Sequence, residues 1–176
     1  SLSKNGGWPL YAALYATRGS IISWVGFDTN APDNDLSGLL SWVRPAIATS
    51  KIYPLGFEMD SPLAGSIYRA PIGAASRILQ ITNGLVTLND GNLAPSVTNA
   101  VTLGLSSVVT CAGPNAVTVK FTIASGLFTG TFTQAGTTRK ISFSGAVHQK
   151  ANFGSGFYPG TNETGRVTFE LAPEMP

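Results

Sequence analysis

Charge is scarce in this sequence. Asp, Glu, Lys and Arg make up 11% of 176 residues and the formal net charge is +2, under half the charged share common in soluble domains. Lys and Arg are scattered, with Arg139-Lys140 as the one adjacent pair. The basic stripe of a nucleic-acid interface is missing, so no nucleic-acid partner is expected. The single cysteine, Cys111, excludes an internal disulfide and a CxxC metal knuckle. Its neighbours Val108, Val109, Thr110 and Ala112 point to a small core residue. The single histidine, His148, excludes a multi-histidine zinc centre and reads as a surface residue at a strand end. No apolar run approaches the ~18 residues of a membrane helix, and no signal peptide is visible. The Gly-x-Ser-x-Gly elbow, the Gly-x-Gly-x-x-Gly fingerprint and the P-loop are all missing, so nothing assigns a catalytic residue.

Helical periodicity is missing too, and what fills the chain is alternation. Hydrophobic residues make up 43%, and polarity comes from Thr, Ser, Asn and Gly. Val117, Val119, Phe121 and Ile123 alternate with Thr118, Lys120 and Thr122, as in a half-buried strand. Leu127–Thr133, Lys140–Val147 and Val167–Leu171 repeat the pattern. So do Leu10–Tyr15, Ile21–Phe27 and Leu36–Val43. Ile78–Ile81 and Leu85–Leu88 flank Asn83-Gly84, a strong hairpin cue. Asp90-Gly91 and Ser125-Gly126 are further turn signals. About a dozen short strands at this spacing predict an all-β antiparallel barrel or barrel-like sandwich. Residues 1–176 are expected to form one all-β domain. Gly19-Ser-Ile-Ile, Leu36-Ser-Gly38 and Tyr53-Pro-Leu-Gly56-Phe57 are echoed by Gly126-Leu-Phe-Thr, Phe143-Ser-Gly145 and Gly156-Phe157-Tyr158-Pro-Gly160. Two similar halves, 1–75 and 100–176, would explain the echo; so would independent use of the same turn chemistry.

The ordered series Gly7-Trp-Pro-Leu-Tyr11, Arg18-Gly-Ser20, Trp24, Ser37-Gly38, Trp42, Tyr53-Pro-Leu-Gly56-Phe57 and Gly65-Ser66-Ile67-Tyr68 continues through Gly126-Leu-Phe-Thr-Gly130, Phe143-Ser-Gly145, Gln149-Lys150 and Gly154-Ser-Gly-Phe157. Over nearly the whole chain it resembles an uncharacterised β-rich domain near the ends of large secreted multidomain proteins of Verrucomicrobia and Planctomycetes. The resemblance implies a secreted or cell-surface setting, neighbouring domains and an accessory role. It carries over no catalytic residues. Because Ser1 opens inside a strand-like pattern, the chain is expected to be part of a longer polypeptide whose export signal lies upstream.

Two acidic groups deserve a chemical reading. Asp28, Asn30, Asp33 and Asp35 crowd one connection, and oxygen ligands gathered in a loop suit Ca²⁺. Their spacing departs from the calcium-loop pattern, and a turn whose side chains cap their own backbone accounts for the same composition. Calcium is the one cofactor that the sequence suggests. Glu58 and Asp60 lie two apart, roughly 6–7 Å along a strand, a separation that a glycosidase pair could use and that two exposed acids at a strand end also show. Asn162-Glu-Thr164 is a formal glycosylation sequon.

Aromatics form the largest candidate set. A ring with a polar handle stacks on the C–H face of a sugar. Trp8, Tyr11, Tyr53, Phe157 and Tyr158, several of them beside Gly or Pro, are the platform candidates. Trp24 and Trp42, framed by apolar neighbours, are expected in the core. The reading is a non-catalytic extracellular accessory module that binds a polysaccharide or cell-surface glycan. Its alternatives are a structural spacer, anchoring or assembly domain, and a glycan-active enzyme of unrecognised type.

Overall fold

Alternation becomes twelve strands and one short 3-10 turn in the computed structural model, which describes residues 1–173. The fold is all-β and antiparallel throughout, as the period-2 pattern predicts. The chain divides into two compact units, Ser1–Ile67 and the segment from Tyr68 onward. Among the described residues, no strand ladder crosses that boundary.

The first unit is a four-stranded meander of β1 (Gly7–Leu14), β2 (Gly19–Phe27), β3 (Leu36–Arg44) and β4 (Phe57–Gly65), paired in that order. Its edge strands, β1 and β4, carry Pro9 and Pro62. Proline donates no ladder hydrogen bond, so edges are where it fits a sheet. Among the described residues of this unit, Val25 is the one hydrophobic side chain that is fully buried. The inner face also carries Ile21, Leu40 and Trp42, all half-buried. Trp42 Nε1 donates to Tyr15 Oη at 3.2 Å, and the Arg44 guanidinium lies 4.6 Å from the centre of the Tyr15 ring. These contacts hold a β1–β2 connection in which Tyr15, Ala16 and Thr17 all adopt positive φ (54°, 54° and 68°), a conformation costly for non-glycine residues.

The second unit holds β5 (Asn83–Asp90), β6 (Val97–Leu103), β7 (Val109–Ala112), β8 (Thr118–Thr122), β9 (Leu127–Thr133), β10 (Lys140–His148), β11 (Phe153–Pro159) and β12 (Thr164–Leu171). Their order is β7-β6-β5-β12-β11-β10-β9-β8, an eight-stranded, nearly closed barrel-like sheet. The last strand returns to pair with β5, so β7 and β8 are left as the edges. A backbone hydrogen bond from Val119 in β8 reaches the Cys111 sulfur in β7, and burial raises the thiol pKa. Cys111 is half-buried and packs against the core, as its neighbours suggest.

The barrel interior is built on ring-to-ring contacts. Phe121 meets Phe169 edge-on at 5.5 Å, Phe128 meets Phe121 at 5.9 Å, and Phe132 meets Tyr158 at 5.2 Å. Glycines opposite these rings make the space. A Cβ on Gly145, the cross-strand partner of Phe128, would come within 2.3 Å of that ring.

Two segments depart from what their sequence predicts. Asn83-Gly84 is not a hairpin turn; both residues open β5 and pair with Thr102 and Val101. Ile78–Ile81 is not a strand, although Ile78, Leu79 and Ile81 are fully buried. Side chains satisfy this segment's backbone instead: Ile78 N–H donates to Ser107 Oγ at 2.8 Å and Gln80 N–H to Asn152 Oδ1 at 2.7 Å. A buried apolar run can do without a strand ladder, provided its polar atoms find partners.

Candidate functional site

Strand register lays out the outer face of the four-stranded sheet row by row. Pro9, Trp24, Leu39 and Pro62 are successive cross-strand neighbours. The next row is Tyr11, Ile22, Ser41 and Asp60, and the next is Ala13, Ser20, Val43 and Glu58. Four strands span roughly 14 Å at the usual ~4.8 Å spacing. Trp24 is 70% exposed and Tyr11 is 66% exposed. They are diagonal neighbours on one face, a relation that sets side chains roughly 7–8 Å apart. A Cβ added to Gly7 would lie 3.9 Å from Trp24 Cε3, so the ring reaches over that glycine. Ile22 and Leu39 are exposed beside the two rings. At the β4 edge the surface turns polar: Ser41 Oγ donates to Asp60 Oδ1 at 2.5 Å, and Glu58 is exposed.

Trp24 was expected inside and is outside. The inner positions of β2 are instead Gly19, Ile21, Ser23 and Val25. Small residues are required there: a Cβ on Gly19 would sit 2.4 Å from the Val43 carbonyl, and one on Gly38 would sit 2.9 Å from Ser23 Oγ. With the tight positions facing in, the bulky Ile22 and Trp24 face out.

The five platform candidates are not assembled into one site. Tyr11 alone lies on the Trp24 face. Trp8 has inner parity, opposite Val25, with its ring 6.5 Å from Phe27. Tyr53 is half-buried and packs edge-on against Phe57 at 5.1 Å, beside Trp42, which is half-buried as expected of a core residue. Phe157 and Tyr158 are adjacent in β11 and therefore point to opposite faces. Phe157 is 58% exposed and borders a shallow cleft of ≈ 560 Å³ with Thr118, Lys120, Thr129 and Ser144. Tyr158 is only 1% exposed, which removes it from any platform. Its single hydroxyl proton is shared between the Asp90 carbonyl at 2.7 Å and the Asn89 carbonyl at 3.1 Å. Burial, then the Asp90 and Glu163 charges, push its pKa up to about 12.

The acidic connection is built as a turn. Asp28 Oδ1 accepts the Asn30 N–H at 3.0 Å, and the buried Asp35 accepts the Ile67 N–H through Oδ2 at 2.7 Å. Among the described residues, no three His, Cys, Asp or Glu side chains are grouped to hold a metal ion, Asp28, Asp33 and Asp35 included. No helix among the described residues is long and apolar enough to cross a membrane. His148 is half-buried rather than on the surface. It stacks on Phe153, its cross-strand partner, with ring centres 4.8 Å apart, and burial lowers its pKa.

No family model matches this chain, and no curated protein or solved structure matches it.

Proposed function

We propose that this chain is a non-catalytic, exported accessory module that binds a polysaccharide or cell-surface glycan through the outer face of its four-stranded sheet. The observation that carries the reading is the exposure of Trp24 and Tyr11 on that one face. Flat rings on a flat sheet suit the C–H faces of consecutive sugar units. Ser41, Asp60 and Glu58 at the same face offer the hydroxyl and carboxylate oxygens that read sugar hydroxyls. Glu58 and Asp60 serve recognition in this reading, because both lie on the open face with Ser41 bonded to Asp60. The test is retention on a panel of insoluble and soluble glycans. The wild-type chain is expected to bind at least one. Trp24→Ala and Tyr11→Ala should each weaken that binding by about tenfold or more, with stability within roughly 0.5 kcal/mol of wild type because both are surface changes. No retention on any glycan refutes the reading.

A second reading is assembly through the same face. Ile22, Leu39 and Val43 add aliphatic surface beside the rings, and contiguous exposed apolar patches mark protein contacts. The β1 and β4 edges are unpaired within their sheet, as in strands that add a neighbour. Concentration-dependent sedimentation abolished by Leu39→Asp, with no glycan bound, would favour assembly.

A further inference from the structure

The second unit carries a cleft that the glycan reading does not use. Residues from the 69–80 segment and Gln149 line this open cleft, whose volume is ≈ 540 Å³. Two arginines line it, Arg69 and Arg77, and among the described residues no carboxylate does. Gln149 holds this segment in place. Its Oε1 accepts the Arg69 N–H at 2.7 Å, while Nε2 donates to the Arg69 carbonyl at 2.9 Å and the Ile78 carbonyl at 3.2 Å. Asn152 repeats the clamp on Gln80, accepting its N–H at 2.7 Å and donating to its carbonyl at 3.3 Å. The segment is therefore held in place by two side-chain amides rather than by a strand ladder. Both of Arg69's bonds to Gln149 use its backbone, so the guanidinium is not spent on them. Arg77 uses Nε to reach the Leu103 carbonyl at 2.8 Å. That bond is made through Nε and involves neither terminal nitrogen of this cleft-lining side chain.

We propose that this cleft is an oxyanion-binding site, with Arg69 and Arg77 as the charged donors to a carboxylate or sulfate group. Guanidinium forks match planar and tetrahedral oxyanions with paired, charge-assisted hydrogen bonds. An anion in the cleft meets two cationic lining side chains and, among the described residues, no lining carboxylate to oppose it. The same chemistry is carried by a free inorganic ion and by an acidic sugar residue. The site lies in the other unit and stands whether or not the Trp24 face binds glycans.

The experiment is an amide and arginine side-chain NMR titration of the full chain at constant ionic strength. Sodium sulfate and sodium glucuronate are the probes and glucose is the neutral control. The expected result is saturable shifts at Arg69, Ser76, Arg77 and Gln149 with sulfate or glucuronate, and none with glucose. Stronger binding of glucuronate identifies an acidic sugar as the better-fitting source; equal or stronger binding of sulfate identifies a free or esterified sulfate. Arg69→Gln should weaken binding by about tenfold, and it leaves the Gln149 clamp intact because that clamp holds backbone atoms. Arg77→Gln should do the same but also loses the bond to Leu103, so Arg69→Gln is the deciding variant. The proposal is overturned if neither anion gives saturable shifts at these residues, or if Arg69→Gln binds as wild type does.

Discussion

Tyr158 shows how far a single residue's setting can differ from what its neighbours in sequence suggest. Beside Pro159 and Gly160 it reads as a turn aromatic, but its ring lies between Gly165 and Gly91. Gly165 is its cross-strand partner, and a Cβ there would come within 2.1 Å of the ring. The ring needs that glycine, so Gly165→Ala should cost about 1–3 kcal/mol by overpacking. Tyr158→Phe keeps the packing and loses the one hydroxyl proton shared by the two carbonyls, which sets the expected loss at about 0.5–1.5 kcal/mol. Tyr158→Ala should cost about 3–5 kcal/mol and act through folding alone. Chemical denaturation of the three variants checks this order; equal losses for the Phe and Ala variants would contradict it. The raised Tyr158 pKa has a matching pH signature. A phenol whose folded pKa exceeds its unfolded value of ≈ 10 contributes stability below pH 10, lost as pH rises toward about 12.

At the scale of the element, alternation was legible and the inward parity was not. In β9 and β10 the buried phenylalanines alternate with Thr and Ser, so the interior face can be read directly. In β2 the sequence Ile21-Ile22-Ser23-Trp24-Val25 is apolar at both parities, and hydrophobicity alone cannot choose a face. Gly19, Ser23 and Gly38 decide it through close backbone approaches that appear only when strands are paired. The Ile78–Ile81 segment was misread for a related reason. Its partners, Ser107 and Asn152, are distant in sequence and act through side chains. The cleft arginines are illegible in sequence for the same reason, since Arg69 is held by Gln149, 80 residues away, and Arg77 by the Leu103 carbonyl. The β10–β11 pair adds a prediction. His148, stacked on Phe153 and desolvated, has a folded pKa below its unfolded value of ≈ 6.5. The unfolded chain then binds the extra proton, so stability is full above about pH 6.5 and falls as pH drops below it. Denaturation midpoints between pH 7 and pH 5 should decline less in His148→Phe than in wild type; an equal decline would remove His148 as the cause.

Seen whole, the chain divides its materials unequally. Nearly all fully buried hydrophobic residues belong to the eight-stranded unit, while the four-stranded unit exposes Tyr11, Ile22, Trp24 and Leu39 on one face. In the proposed glycan reading, a chain with so little charge depends less on long-range attraction than on apolar rings with nearby hydroxyl and carboxylate oxygens. The most direct measurement of that claim is tryptophan fluorescence during titration with a polysaccharide that retains the chain, in wild type and in Trp24→Phe. The glycan reading predicts a saturable change in wild-type emission that disappears in Trp24→Phe, while Trp8 and Trp42 continue to report a folded protein. A wild-type emission change that persists undiminished in Trp24→Phe would contradict it.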